Sequence, residues 1–412
     1  MSNLKNVINL KFITVKIIFL IVVIVLVRIA RFNIATNEFN EKTVNQEDKQ
    51  VLHVNTKPNG EMRAVWVPYM TLDLKGDYSE SSFRRKFDEI ATSAKNMHLN
   101  TLIVQVRPYA DALYKSALYP WSHLLTGEQG RDPGYDPLEY MVRKSHELDL
   151  KIHAWINPLR IQKNNVPEKL SIENEYFKLK DDQDKVFEVN NEKYFNPAYP
   201  QNRARIIDGV KEIVEKYSID GIQFDDYFYP DSDGDFDKIS FDSYRNNAKE
   251  NPLSLHDWRC ANIDSLVCGV YSAIKSVCPI VQFGISPQGN IQNDLKIGAD
   301  VQKWCSSPGY VDYICPQLYV SLQHPSFPFE KMASQWHDVV KCNNIDLYYG
   351  LGVYKAGSDM DQGTWKNSDD ILQKQIEYGR SNNMNGFMLY SWDYLFKPET
   401  QPEVLNVLKT IT

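Results

Sequence analysis

The sequence predicts a (β/α)8 TIM barrel, an α/β fold, on three observations. Short apolar or alternating runs recur eight times after Met62, most of them followed by an amphipathic segment, and strand–helix alternation repeated over roughly 350 residues is what this architecture requires. Within the runs, apolar and polar residues alternate: Val104 and Val106 with Gln105 and Arg107, Ile152, Ala154 and Ile156 with His153, Trp155 and Asn157, Ile222 and Phe224 with Gln223 and Asp225. One face therefore packs on helices, while the other becomes polar toward the strand's C-terminal end, where such barrels carry their chemistry. Third, the connection after the first strand, Val67 to Asp73 (VPYMTLD), lacks the glycine-rich phosphate loop of the competing doubly wound sheet.

In chain order the strands are expected at Arg63–Tyr69, Thr101–Arg107, Lys151–Pro158, Gly221–Phe228, Val281–Pro287, Tyr313–Val320, Leu347–Tyr354 and Gly386–Tyr394, each ending in turn or polar residues. Apolar residues at helical spacing place helices at Phe83–Met97, Pro137–Leu148, Asn202–Tyr217, Leu255–Val277, Phe329–Cys342 and Asp369–Ser381. These elements assign residues 61–412 to the barrel.

Ahead of it, Ile13–Val27 (ITVKIIFLIVVIVLV) is apolar apart from Lys16, with Lys5 and Lys11 before it and Arg28 and Arg31 after it. Residues 1–32 thus read as an export segment, either a cleaved signal peptide or a signal-anchor helix. The apolar run falls short of the roughly 20 residues of a comfortable span, yet the poor cleavage site at Arg28–Arg31 (RIAR) favours the anchor, and no cysteine follows to carry a lipid. The flanking charge leaves the N-terminus in the cytoplasm and everything beyond the run outside, either anchored to the inner membrane or secreted after cleavage. Residues 33–60 are polar and acidic and read as a linker.

The 412-residue composition, 43% hydrophobic and 24% charged, supplies a sizeable core and excludes disordered, collagen-like and multi-span membrane classes. Forty-six basic against 53 acidic residues give a net charge of -7, the wrong sign for a nucleic-acid partner. A monomer is expected. Six cysteines without a CxxC pair or a Cys/His cluster argue against zinc and thioredoxin-like chemistry and read as buried thiols, with disulfides the alternative if the chain is exported. No metal and no cofactor are expected. The 24 Tyr, 18 Phe and 8 Trp exceed what a core needs, and many of them, Trp66, Tyr69, Tyr109, Trp155, Tyr229, Tyr354, Tyr390 and Tyr394 among others, fall in or just after the strands.

The polar residues at the strand ends are Arg107, Asn157, Asp225, Asp226, Ser286, Gln288, Gln317, Tyr319 and Asp393, with Tyr109, Tyr227 and Trp392 beside them. Hydrogen-bonding groups interleaved with flat rings suit a carbohydrate. Asp225 shares the inward parity of Gln223 and Tyr227, and Asp226 leans toward the loop. Glycoside hydrolysis ordinarily uses two carboxyl groups, so Asp111 and Asp393 are further acids to weigh; Arg107 reads as a substrate clamp or as the partner of a carboxylate. The acidic stretch Asp231–Asp237 has Gly at its fourth position rather than the sixth of a calcium loop and reads as a solvated loop. No HExxH or GxSxG motif occurs.

Several segments together resemble the bacterial glycosyl-hydrolase-like family ten. They include RAVWV from Arg63, QVRPYADALY from Gln105, HAWINP from His153, DGIQFDDYFYP from Asp220, DWR from Asp257, GISP from Gly284 and PQLY from Pro316. The resemblance spans Glu61 to Leu395. It implies a glycoside hydrolase in the cell envelope or outside the cell, and cleavage of the N-acetylated glycan of peptidoglycan in strands stripped of their stem peptides. On these motifs it implies Asp225 and Asp226 as the catalytic pair. Arg107, Asp111, Asn157, Gln317 and Tyr319 match its other strand-end motifs and, with Tyr227 and Trp392, are expected to bind substrate. The chain departs from the family's pattern in having no lipoprotein cysteine, and in reading Pro158-Leu159-Arg160 after the third-strand asparagine, followed by its own loop. The chitinase-type glutamate is also missing, its position being held by Tyr227. Substrate assistance and an ordinary two-carboxylate mechanism both remain open. So do two rival functions, a catalytically silent glycan-binding barrel and a hydrolase of another extracellular polysaccharide.

Overall fold

The computed structural model describes residues 60–412 apart from 183, 231–233 and 249. The expected export segment, the linker up to residue 59 and the start of the Asp231–Asp237 loop lie outside the described residues. Eleven strands form among them: β1 (Met62–Val67), β2 (Thr101–Arg107), β3 (Lys151–Ile156), β4 (Arg160–Lys163), β5 (Val186–Val189), β6 (Glu192–Phe195), β7 (Gly221–Phe224), β8 (Gln282–Ile285), β9 (Tyr313–Ile314), β10 (Asp346–Gly352) and β11 (Gly386–Tyr390).

Eight of these close into a barrel in the order β1-β11-β10-β9-β8-β7-β3-β2, with every neighbouring pair parallel. Closure is direct, since β1 pairs with β2 through Ala64↔Thr101 and with β11 through Met62↔Gly386. The barrel strands are the eight read from the sequence, but they end sooner. β7 stops at Phe224, where Asp225 and Asp226 follow, and β9 is continuous only over Tyr313 and Ile314, beyond which Gln317 adds single parallel bridges to Gln288 and Gly350.

Helices return from each strand end to the start of the next. Ser79 caps Glu80–Asn96, Asp136 with Pro137 starts Pro137–Glu147, and Ser254 caps Leu255–Val277, each cap oxygen satisfying free N–H groups of the first turn. Pro200–Lys216, Phe329–Val339 and Ile371–Ser381 complete the expected helices. The chain ends in Gln401–Ile411, which follows the last strand and was not foreseen. A second departure is the antiparallel sheet β4-β6-β5, inserted between β3 and the Pro200–Lys216 helix where the sequence reads as a loop. Its strands are only four residues long, too short to show a period.

The core has two layers. Val65, Val104, Ala154, Ile222 and Phe224 face the helices, and Ala64, Trp66, Ile103, Trp155, Tyr313, Tyr348 and Met388 fill the barrel interior. The interior is packed solid: a Cβ on Gly284 would lie 2.0 Å from the Tyr313 ring, so only glycine fits there. Polar side chains inside bond one another, Trp66 Nε1 donating to Gln223 Oε1 and Gln223 Nε2 to Tyr313 Oη at 3.2 Å, while His153 bonds Tyr313 through Nδ1 and leaves Nε2 without a partner. All six cysteines are free thiols, with Cys260, Cys305 and Cys315 buried.

One irregularity alters the expected parity. β2 and β3 pair in step from Thr101↔Lys151 to Gln105↔Trp155, and then Arg107 pairs with Ile156. The extra residue is a β-bulge, which re-aims the side chains after it. Arg107 consequently lies outside the barrel, its guanidinium 4.4 Å from the Tyr119 ring centroid, and its Nη1 is 2.6 Å from where a Cβ on Gly209 would stand.

Candidate active site

The site is built where β7 ends. Asp225 and Asp226 follow Phe224 directly; Asp225 is buried and Asp226 half-buried at the cavity wall. Trp155, near the end of neighbouring β3, donates its indole N–H to Asp225 Oδ2 at 3.0 Å. Asn157, just past β3, donates its amide to the same oxygen. That amide is oriented by a relay: the Tyr69 backbone N–H bonds Gln105 Oε1 at 3.1 Å, and the Gln105 amide N–H bonds Asn157 Oδ1. With its oxygen thus occupied, Asn157 presents N–H to Asp225. Asp226 is held separately. Gln317 Nε2 donates to its Oδ1 at 2.9 Å and to the Ser286 carbonyl at 3.1 Å.

Burial raises the pKa of Asp225, and repulsion from Asp226 raises it further. Burial also raises Asp226, against the stabilising bond from Gln317. Two carboxyl groups this close do not both ionise readily, so the pair keeps a proton above the usual carboxylate range. Four donors touch the two groups: Asp225 receives the Trp155 and Asn157 side chains on Oδ2 and the Tyr227 backbone N–H on Oδ1 at 3.4 Å. These favour negative charge there against the burial and repulsion that push its pKa up to about 7. Arg160 opposes the upward shifts of both. It is buried in β4 with its guanidinium 3.9 Å from the Tyr227 ring centroid.

Two cavities meet at Asp226 and Tyr227. The first, about 240 Å³, has the carboxyl pair on one side and Trp66, Trp155, Tyr319, Tyr354 and Tyr390 around it, with Ser286 and Gln317. Its rings brace one another: Tyr319 and Tyr390 stack at 5.5 Å, and Trp66 meets both edge-on at 6.4 and 5.9 Å. The second, about 270 Å³, is walled by Lys163, Glu192 and Tyr194 of the inserted sheet and by Tyr229 and Gln288. Tyr227, 42% exposed, stands between them.

The structure therefore brings Asp225, Asp226, Asn157, Tyr227, Gln317 and Tyr319 together. It places three expected site residues elsewhere. Arg107 is turned toward the helices by the bulge. Asp111 is buried under Gln129, whose Nε2 donates to its Oδ2 at 2.9 Å, with His123 Nδ1 at 3.6 Å; it ties loops together and lines neither cavity. Trp392 begins a 3-10 turn after β11 and packs on Phe396 at 5.1 Å, with Lys86 above its ring. Asp393 accepts the Thr71 hydroxyl and also lies apart. Asp225 and Asp226 are thus the only described acids lining the first cavity. Among the described residues no cluster of His, Cys, Asp and Glu could hold a metal ion, and Asp237 of the acidic loop is buried in an ion pair with Arg259 at 2.6 Å.

Arg160 was missed by the sequence reading, as was Asp294. The latter is fully buried, accepts the Gln288 backbone N–H at 2.8 Å, and is held well above the usual carboxylate range by burial, with Asp226 adding repulsion. The only signal for Arg160 was its place just after the third-strand asparagine.

A proton-retaining carboxyl pair at the C-terminal mouth of a (β/α)8 barrel, ringed by aromatic faces, defines a glycoside hydrolase. The chain belongs to the family described as glycosyl hydrolase-like 10, whose model matches residues 61–367. It is 34% identical over 349 residues to glycosyl hydrolase YngK of Bacillus subtilis, covering 79% of this chain and 67% of that protein. Glycosyl hydrolase DigH of Escherichia coli is 31% identical over 374 residues, 83% of either chain. Among solved structures, the PgaB (BpsB) glycoside hydrolase domain from Bordetella bronchiseptica superposes with a TM-score of 0.59 at 11% identity, over 86% of this chain and all of that one. An α-L-fucosidase from Paenibacillus thiaminolyticus gives 0.52 at 14% identity over 85% of this chain and 49% of that one. These two likenesses are of fold.

Proposed function

We propose that this glycoside hydrolase acts outside the cytoplasmic membrane on the N-acetylated glycan of the cell wall, peptidoglycan strands stripped of their stem peptides. The observation that carries the chemistry is that the two acids of the first cavity are neighbours on one strand end, each with its own donors. Two carboxyl groups working from opposite faces of a sugar ring come from different parts of a site, and no described acid stands across this cavity. The arrangement favours assistance by the substrate's own N-acetyl group.

In this reading Asp226 gives its proton to the leaving oxygen as the C1–O bond breaks. The acetamido carbonyl oxygen attacks C1 from the other face, and Asp225, stabilised as the anion by the Trp155 and Asn157 donors, bonds the acetamido N–H and stabilises its developing positive charge. Water then opens the cyclic intermediate, giving its proton back to Asp226. The aromatic walls take the C–H faces of the sugar. The apolar segment Ile13–Val27 and the family resemblance support the cell-wall location.

The test is incubation of the purified protein with intact and amidase-treated peptidoglycan, with new reducing ends read by mass. Products from the treated strands are expected. No product from either substrate rejects the reading and leaves a glycan-binding barrel, and products from an unrelated polysaccharide alone move the substrate.

A further inference from the structure

The geometry points to a third sugar-binding position, distal to the cleavage site, in a cavity of about 450 Å³ between the Pro200–Lys216 helix, the Lys238–Asn247 helix and the Leu255–Val277 helix. Its size lies within the roughly 300–1,000 Å³ typical of small-ligand sites. It takes a neutral, N-acetylated sugar further along the same glycan strand. Three observations carry this.

The first is its chemistry. Rings and an aliphatic group supply one surface, Tyr199, Tyr244, Trp258 and Leu253, while Ser243 and Asn262 are among the hydroxyl and amide groups beside them. Tyr244 stacks on Trp258 at 6.0 Å and 29°, and its hydroxyl accepts the Leu253 backbone N–H at 2.9 Å, so the platform is fixed before any ligand arrives. Flat apolar faces with neutral donors and acceptors alongside suit a sugar ring.

The second is charge. None of the residues lining this cavity is charged, in a chain that is 24% charged. The cavity beside Glu403, by contrast, is lined by Lys366, Asp369 and Glu399. A site without a counter-charge selects against carboxylate-bearing sugars, whose burial would go uncompensated, and so fits the neutral residue of an alternating strand.

The third is continuity. Asn262, in the wall of this cavity, donates to the Tyr229 hydroxyl at 3.4 Å, and Tyr229 lines the second catalytic cavity. The Pro200–Lys216 and Leu255–Val277 helices each lead back to the beginning of a strand, so the first turns that line this cavity lie toward the mouth end of the barrel, as the carboxyl pair does. Tyr229 is itself buried beneath this wall, so the strand passes over exposed Tyr227 and on toward the third position.

The inference rests on the polymeric substrate proposed above, and two measurements separate their failures. The full chain carrying Asp226→Asn is titrated calorimetrically with a neutral N-acetylglucosamine pentamer, with and without Ser243→Arg, which puts bulk and charge into the cavity from an exposed position. Affinity about tenfold weaker in the double variant is expected, the scale of one lost stacking contact; equal affinities overturn the site. In the active enzyme Ser243→Arg and Tyr244→Ala are expected to lower kcat/KM on long strands by about tenfold and to leave a short oligosaccharide unaffected. Equal rates on long strands, or equal losses on both lengths, overturn it. If the wild-type protein releases no reducing ends from any strand, the cleavage reading fails, and the calorimetry alone decides the site.

Discussion

The Trp155 indole N–H meets Oδ2 of Asp225 at 3.0 Å from the adjacent strand, on the same oxygen that receives the Asn157 amide. One aromatic side chain therefore both walls the first cavity and favours the ionised form of a carboxyl group, against burial and the neighbouring Asp226. Replacing it by a ring without a donor separates these roles. Trp155→Phe is expected to keep the fold, to lower kcat by about tenfold as a bond to a charged group is lost, and to move the alkaline limb of the pH–rate profile upward, because the anion has lost a stabilising donor. A limb that stays in place would show that the bond does not bear on the pair's proton.

Asp226→Asn is expected to lower kcat by about 10³-fold, within the range for losing a positioned acid. The same variant is expected to melt about 1–3 °C higher at neutral pH. The sign follows from linkage: a carboxyl whose folded pKa is raised is neutral without penalty at low pH, and costs stability as pH climbs from the unfolded value through the folded one. An isosteric amide removes that cost. Parallel rate and calorimetric measurements check both halves.

Asp225→Asn leaves Asp226 without a like charge beside it. Its residual activity is expected to lose its alkaline reach, the limb moving down as Asp226 gives up its proton more easily. A downward shift in this variant together with an upward one in Trp155→Phe assigns the titration to the pair.

Substrate assistance makes a prediction about the ligand. Strands whose 2-acetamido groups have been reduced to amines are expected to bind and to resist cleavage, and the first-formed product from acetylated strands is expected to retain its anomeric configuration by NMR. Cleavage of the de-acetylated glycan at an undiminished rate would restore the two-carboxylate alternative and send the search to another acid.

For Arg107 the expected loss is of stability. Gly209→Ala brings a methyl to within 2.6 Å of the Arg107 Nη1 and of the Tyr119 ring, which is expected to cost about 1–3 kcal/mol as overpacking. Arg107→Met is expected to lower Tm while kcat/KM stays within about threefold, for the side chain lines neither catalytic cavity. Denaturant melts alongside rates on stripped strands check this.

The barrel was legible because its strands and helices obey two different periods, and Asp225 was legible because strand parity holds as far as the end of β7. Parity fails wherever the backbone slips or turns. A bulge leaves no mark in side-chain type, so Arg107 reads as lining the mouth when it faces a helix. Trp392 follows a strand in sequence, yet the 3-10 turn it begins carries it to Phe396. Arg160 was hidden for the opposite reason. Its position over Tyr227 depends on a small sheet folding back over the mouth, and four-residue strands carry too little pattern to announce such a sheet.

The bulge in β2 also reaches into how this chain can vary. Arg107, Tyr119 and Gly209 compete for one volume, so none of the three positions can grow alone. A larger residue at 209 becomes tolerable only in company with a shorter one at 107 or 119. Relatives that lack the extra residue in β2 are free of this linkage and can carry any small side chain on that helix. Co-variation among these three positions would thus mark, from sequence alone, which relatives share the slipped strand.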